Sequence, residues 1–398
     1  MREARVRVLQ HRTTEQIIYA LAKTAANWLA PDSPWRQQAT VQAPGPTGFS
    51  AEMVSAAIDL TFGLLTGEAL GELVDCELGH RRALDEFCPH GHILSHARGP
   101  GLITHILAGT LPHSGIVSIC CGLLLKSANL VKLATNDPIF PALFVESLRE
   151  VDAELADCVT TLQWKRDDLE LTKAAVASAD AVIVYGDDLT VSKIRELTPR
   201  GAIFVGHGYK LSFGFVAKEV MTTANLPALA EAAAFDVSVY DQQGCLSPHL
   251  FYVEERGELG PRKFATALAE AMAAYQQRVP RGVHSAEEAA EIARVRAGYE
   301  FRSAQDKRVQ VWSSPNANDW LVIYEDDPSF ATSCLNRIVY VKPTDGFKRV
   351  LESIQRFAPR ISTVGVAPLH ERSAAFANEL AKMGVHRVCA IGQMQRPP

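Results

Sequence analysis

From Cys158 onward the chain alternates short apolar, β-prone runs with helical ones, and this rhythm restricts the fold more than any other feature. It predicts strands over Cys158 to Trp164, Ala181 to Tyr185 and Gly201 to Val205, with helices over Leu169 to Ser178 and Leu189 to Leu197 between them. Strands separated by helices pair in parallel, so the pattern predicts a doubly wound α/β sheet. The rhythm returns further on. Strands are expected at Arg308 to Trp312, Trp320 to Tyr324 and Arg337 to Val341. A helix at Gly346 to Phe357, a strand at Ser362 to Val366, a helix at Glu371 to Lys382 and a strand at Arg387 to Ile391 follow. A chain of 398 residues is longer than one core usually holds. Two α/β domains are therefore expected, 1–214 and 215–398, the second with a tail free to pack back on the first.

Upstream of the alternation the spacing predicts helices over Thr14 to Leu29, Ser50 to Val74 (Ser50 as N-cap) and Gly79 to Phe87. Gly99 to Pro112 reads as a buried strand ending in a loop of small residues. Ser114 to Leu125 reads as a helix, Asn129 to Ala134 as a strand, and Pro138 opens a helix to about Ala156. Several function classes are excluded. A net charge of −5 gives no basic footprint for nucleic acid. No apolar run reaches the length needed to span a bilayer, and the charged N-terminus has no signal-type apolar core, so a cytoplasmic protein is expected. The eight cysteines are scattered without a CxxC pair, which favours free thiols. Cys88-Pro-His-Gly-His92, with His96, offers metal-type ligands but no second half of a site; a surface turn is expected and no metal.

One cysteine stands out. In Val239-Tyr-Asp-Gln-Gln-Gly-Cys-Leu-Ser-Pro-His249, Cys245 falls on a tight turn between the helical run Leu226 to Val239 and the β-prone run His249 to Val253. Gly244 removes a Cβ just before the thiol, so a substrate carbonyl has room to approach. A loop held by rigid elements is where a fold places a nucleophile. The alternative is a buried cysteine acting as a small hydrophobe. Two strand ends suit a dinucleotide. One is near Lys132; the other is at Gly186, directly before a helix N-terminus that can hold phosphate. Neither is accompanied by a GxGxxG fingerprint.

In their order, these segments resemble the aldehyde dehydrogenase superfamily, and more closely its LuxC-type acyl-CoA reductases, over about Gly99 to the end. Tyr240 to Cys245 is similar to the catalytic cysteine loop. Asn129-Leu-Val-Lys132 is similar to the strand whose lysine contacts the cofactor ribose. Val184-Tyr-Gly-Asp187 resembles the loop beside the pyrophosphate, and Gly206-His-Gly-Tyr-Lys-Leu-Ser212 the segment that carries a glutamate in oxidising members. Arg387 to Gln395 resembles the end of LuxC-type chains. The resemblance implies two doubly wound domains with the active site between them. It implies Cys245 as nucleophile, Thr110 as an oxyanion donor beside the Cys245 N–H, and Lys132, Thr135, Gly186, Asp187 and Gly208 at the cofactor.

The departures refine it. Gly206 replaces the glutamate that activates water, so an acyl-enzyme survives for reduction. Thr135 replaces an acid that would repel a 2′-phosphate, which favours NADPH. Thr110 stands where an asparagine amide is usual, and Asn336-Arg337 offers no match to the glutamate that holds the nicotinamide ribose. The implied reaction is reduction of a fatty acyl-CoA or acyl-carrier thioester to the aldehyde. The implied partners are an acyl-protein synthetase or other pathway enzyme and further copies of the chain. Reduction of an acyl phosphate, or a non-catalytic scaffold subunit, are the alternatives.

Overall fold

In the computed structural model, which describes residues 1–396 except Ala108, Thr110, Ala317 and His370, the alternation folds into two units, Met1–Tyr209 and a second from Lys210 onward. The first unit opens with helices. Thr14–Leu29 is fixed at its start by a reciprocal capping box between Thr13 and Gln16. At its end, Trp28 stacks on Phe62 at 4.5 Å and donates to Ser147 Oγ at 2.8 Å. The single helix expected over Ser50 to Val74 is two, Ala51–Gly63 and Gly67–Leu78. Thr66 recaps the second by accepting from Ala69 N–H, and the pair bends by 57°. No single helix among the described residues is long and apolar enough to cross a membrane. The helix expected at Gly79 to Phe87 is a series of turns, because Gly79 takes the left-handed φ of +77° that ends the preceding helix. A hairpin follows, β1 (Cys88–His90) and β2 (Ile93–Ser95).

The sheet of this unit contains β3 (Leu102–Ile106), β4 (Ala128–Lys132), β5 (Val159–Leu162), β6 (Ala181–Tyr185) and β7 (Ile203–His207), in the order β5-β4-β3-β6-β7, all parallel. β3 and β4 are buried on both faces, as parallel strands covered by helices are. The chain winds from β3 outward to β5 and then returns to β6 beside β3. That reversal opens a crevice at the carboxyl ends of β3 and β6, where open α/β sheets bind ligands.

The second unit has seven strands: β8 (Leu211–Val216), β9 (Pro248–Glu254), β10 (Val309–Ser313), β11 (Leu321–Glu325), β12 (Ile338–Thr344), β13 (Ile361–Ala367) and β14 (Arg387–Ala390). Their order is β10-β11-β12-β9-β8-β13-β14, with only the β10–β11 pairing antiparallel. β8 is a fully buried inner strand where the sequence suggested only a boundary. No helix separates it from β7, so the cue of alternation is missing there. At Gly214 in β8, a Cβ would lie 2.1 Å from the Phe251 ring, so only glycine lets that ring pack across the strand. Phe213 and Phe215 join Tyr252, Ile323 and Tyr340 in one apolar layer, and Phe251, Val253, Phe264 and Val341 lie in another.

Candidate active site

Helix Leu226–Ser238 does not run straight into β9. Tyr240, Asp241 and Gln242 all have left-handed φ, +54°, +51° and +63°. Such backbone is costly for non-glycine residues and persists only where surroundings enforce it. Here the enforcement is a second left-handed run, Leu335, Asn336 and Arg337, at +64°, +62° and +61°. The buried Arg337 guanidinium meets the Asp241 carboxylate at 2.8 Å, and its remaining donors reach Gln276 Oε1 at 2.6 Å and Val279 O at 3.1 Å. Gln242 accepts from Ile338 N–H at 2.8 Å and donates to Ile338 O and Pro248 O, each at 2.8 Å. Gln243 Nε2 donates to Asn336 Oδ1 at 2.9 Å. The two turns grip each other, and the chain leaves them at Gly244.

Cys245 is exposed. Its carbonyl accepts from Ser212 Oγ at 2.8 Å, and Ser212 Oγ in turn accepts from Thr363 N–H at 3.2 Å. Ser247 N–H donates to Gly244 O at 3.0 Å and closes the turn. The protein packed around the base of the thiol raises its pKa. The cysteine's own N–H and the cations Lys210 and Arg387 pull it back down in part. The thiol stands at the amino end of β9, beside the starts of β8 and β13. His249, four residues further on in sequence, is buried and neutral: burial lowers its pKa to about 4, and Nδ1 accepts from Ser333 N–H at 3.0 Å. His207, in the first unit, stacks on Tyr185 at 4.6 Å.

In the first unit a cavity of about 640 Å³ lies at the carboxyl ends of β3, β4 and β6. It is lined by Lys132, Thr135, Gly186 and Asp187, as the sequence suggested, and also by Arg166 and Lys193. Lys132 Nζ donates to Leu133 O at 3.3 Å and lies 5.6 Å from the Trp164 ring. Burial, and then the charge of Arg166, lower its pKa. Arg166 Nη2 donates to Thr190 Oγ1 at 2.7 Å and Asp187 Oδ2 at 3.2 Å. Asp187 caps its own helix, Asp188–Leu197, by accepting from Thr190 N–H at 2.6 Å. Those hydrogen bonds from Thr190 hold its pKa below the usual carboxylate value. A Cβ at Gly186 would meet Thr190 at 3.1 Å, so glycine brings the strand end close to the helix. Gly208 does not line the cavity; it follows β7, where Tyr209 N–H donates to Asp188 Oδ1 at 3.1 Å. Thr110 lies outside the described residues. Three cationic side chains beside apolar walls from Ile106, Leu107 and Ile194 fit the phosphates and adenine of a dinucleotide.

Sequence reasoning missed Arg166, Lys210, Ser212 and Arg387. It also met Arg337 only as the place of a missing glutamate. No local signal marks these residues, because their partners lie far along the chain.

A sequence model of the family described as acyl-CoA reductase (LuxC) matches residues 9–397. The long-chain acyl-protein thioester reductase of Aliivibrio fischeri is 28% identical over 355 residues, 87% of this chain and 70% of the relative. Long-chain acyl-protein thioester reductase 2 of Photobacterium leiognathi is 26% identical over 350 residues, with the same two coverages. Among solved structures, a NAD-dependent benzaldehyde dehydrogenase from Corynebacterium glutamicum superposes with a TM-score of 0.72 at 13% identity, over 99% of this chain and 85% of that one. A NADP-dependent glyceraldehyde-3-phosphate dehydrogenase from Bacillus halodurans C-125 gives 0.70 at 12% identity, over 98% and 80%. These likenesses establish an aldehyde-dehydrogenase-like α/β fold.

Proposed function

The chain belongs to the acyl-CoA reductase (LuxC) family, and on that premise we propose that it reduces a fatty acyl thioester to the aldehyde, with Cys245 carrying the acyl group and NADPH as reductant. The observation that carries the reading is the exposed Cys245 thiol, on a turn held by two interlocked left-handed runs and flanked by the cations Lys210 and Arg387. A braced, accessible thiol with cations nearby is suited to covalent catalysis and is not needed for packing.

Cys245, as thiolate, attacks the thioester carbonyl, and the Cys245 N–H would donate to the developing oxyanion. The carrier thiol leaves with a proton, and Cys245 holds the acyl group as a new thioester. The cofactor, when bound, supplies hydride to that carbonyl carbon. The thiohemiacetal then collapses, breaking its C–S bond, and releases aldehyde and the Cys245 thiolate. Gly206 presents no side chain to activate water, so the acyl-enzyme outlives its formation. Lys132, Arg166 and Lys193 would hold the cofactor's phosphates, and no acid stands at Thr135 to repel a 2′-phosphate. The acyl carrier is coenzyme A or an acylated protein; the relatives named above are called acyl-protein thioester reductases.

Incubation with a labelled long-chain acyl-CoA, without NADPH, tests the reading by intact mass. An adduct of one acyl group, labile to hydroxylamine, mapped to Cys245 and absent in Cys245→Ser, is the expected result. Aldehyde formation by Cys245→Ser, or an adduct on Cys120, Cys121 or Cys334, would overturn it.

A further inference from the structure

The last described residues do not hang free. Asp236, fully buried on helix Leu226–Ser238, accepts from Gly392 N–H at 2.5 Å and Met394 N–H at 3.1 Å. Gln395 Nε2 donates to Asp236 O and to Ser247 Oγ, both at 2.9 Å. Met394 is fully buried against Gly365, where a Cβ would lie 2.6 Å from its sulfur. Gly392 has φ of +90°, and a Cβ there would meet Ala232 at 2.9 Å. The strap formed by these residues therefore touches the turn of Cys245 on both sides, at the helix before it and at Ser247 after it. Its carbonyls also fix a charge: Arg387 donates to Met394 O at 2.7 Å and Gln393 O at 2.9 Å. Arg387 is one of the two cations that favour the Cys245 thiolate.

We propose that residues 392–396 form a positioning strap for the nucleophile, in which Gln395 and Asp236 hold the Cys245 turn and the strap carbonyls fix the Arg387 guanidinium. The buried Asp236 carboxyl, whose pKa burial pushes up to about 7 against the strap N–H groups, is consistent with a group kept there for what it grips. The strap N–H groups and the charge of Arg387 offset part of that burial, while the rest of helix Leu226–Ser238 presents Ala233, Ala234 and Val237 to the core.

The inference rests on Cys245 as the acyl-bearing thiol. Its test is the pH profile of Cys245 alkylation by iodoacetamide, read by peptide mass in the full chain. Gln395→Ala and Ser247→Ala each break one end of the Gln395 bridge. Gln395→Glu keeps the shape and loses the donor. In all three the midpoint of the profile should move to higher pH and the rate at pH 7 should fall roughly threefold or more, about half a pKa unit. Gln395→Asn, which retains the amide, should recover part of the loss. A role confined to stability would lower the melting temperature and leave the midpoint in place, and that result would overturn the proposal. If Gln395→Ala fails to fold, Ser247→Ala alone decides between the same two outcomes. The strap and the nucleophile can fail separately. An active Cys245→Ser enzyme removes the nucleophile whatever the alkylation shows. An unmoved profile removes the strap whichever residue is acylated.

Discussion

At Gly206 the requirement for glycine is one of space. A Cβ there would lie 2.7 Å from Val191 Cγ1 and 2.9 Å from the Phe204 ring, while its φ is not left-handed. Gly206→Ala should therefore cost about 1–3 kcal/mol, by overpacking. Val191→Ala should restore much of it, as read by chemical denaturation. On the proposed role of Gly206, Gly206→Glu in that Val191→Ala background would supply the missing base. It should release free fatty acid from acyl-CoA without NADPH, toward the 10² to 10⁴ that a general base is typically worth. A wild type that hydrolyses acyl-CoA as fast as it reduces it would show that another residue already acts as that base. Thr135 is exposed in the cavity wall. Thr135→Glu should shift the ratio of kcat/KM from NADPH towards NADH by about fivefold, the scale of one screened charge contact. Cys245, Lys132 and Gly186 were legible as candidates because each combines a telling residue type with a strand or helix end. Arg166 was not: its value comes from Asp187 and Thr190, which the fold brings to it.

Among the elements, the paired left-handed turns matter most. Their sequences, Tyr-Asp-Gln and Leu-Asn-Arg, contain no glycine, so nothing local announces a positive φ. The conformation exists because Asp241 and Arg337 are buried partners and Gln242 saturates the backbone of Ile338. Removing one partner leaves a buried charge. Arg337→Met should cost about 3–5 kcal/mol, and Asp241→Leu in the same chain should return most of it. A chevron or urea midpoint for the two variants and their double mutant checks this, and a strictly additive cycle would contradict it. The helices and most strands were readable within a few residues because their periodicity and caps are local. The exceptions have physical causes: a left-handed Gly79 that stops a helix, a Thr66 cap that restarts one, and β8, which follows β7 without a helix. Cys245 also departs from the rule for open α/β sheets. It stands at the amino ends of its strands, whereas the cavity of the first unit lies at carboxyl ends.

Across the whole molecule, each unit holds, among the described residues, one buried neutral histidine. His105 bridges Ser118 Oγ at 2.8 Å and Asn129 Oδ1 at 2.9 Å, and burial lowers its pKa to about 4; His249 is lowered to about 4 as well. The unfolded chain protonates each near 6.5. Their contribution is thus complete above that pH and is lost as pH falls towards 4, on the order of 3 kcal/mol each. Two buried carboxyls act with the opposite sign. Burial raises Asp137 to about 6 and Asp236 to about 7, so their contribution is greatest below about 4 and is lost as pH rises through those values. Denaturation midpoints across pH 4 to 6.5 should rise more steeply in Asp137→Asn/Asp236→Asn than in the wild type, and less steeply in His105→Gln. Parallel slopes in all three would contradict these assignments.

The strand order also fixes a schedule for biosynthesis. Leu211 of β8 pairs with Ile361 of β13, and Arg387 and the strap come later still. At 5–20 residues per second, a ribosome makes Cys245 on the order of ten seconds before it makes Thr363 and Arg387. During that interval the Cys245 turn lacks the Thr363 N–H that holds Ser212, the charge of Arg387 and the strap that bonds Ser247. On the proposed role of Cys245, competence to take an acyl group therefore arrives late in translation.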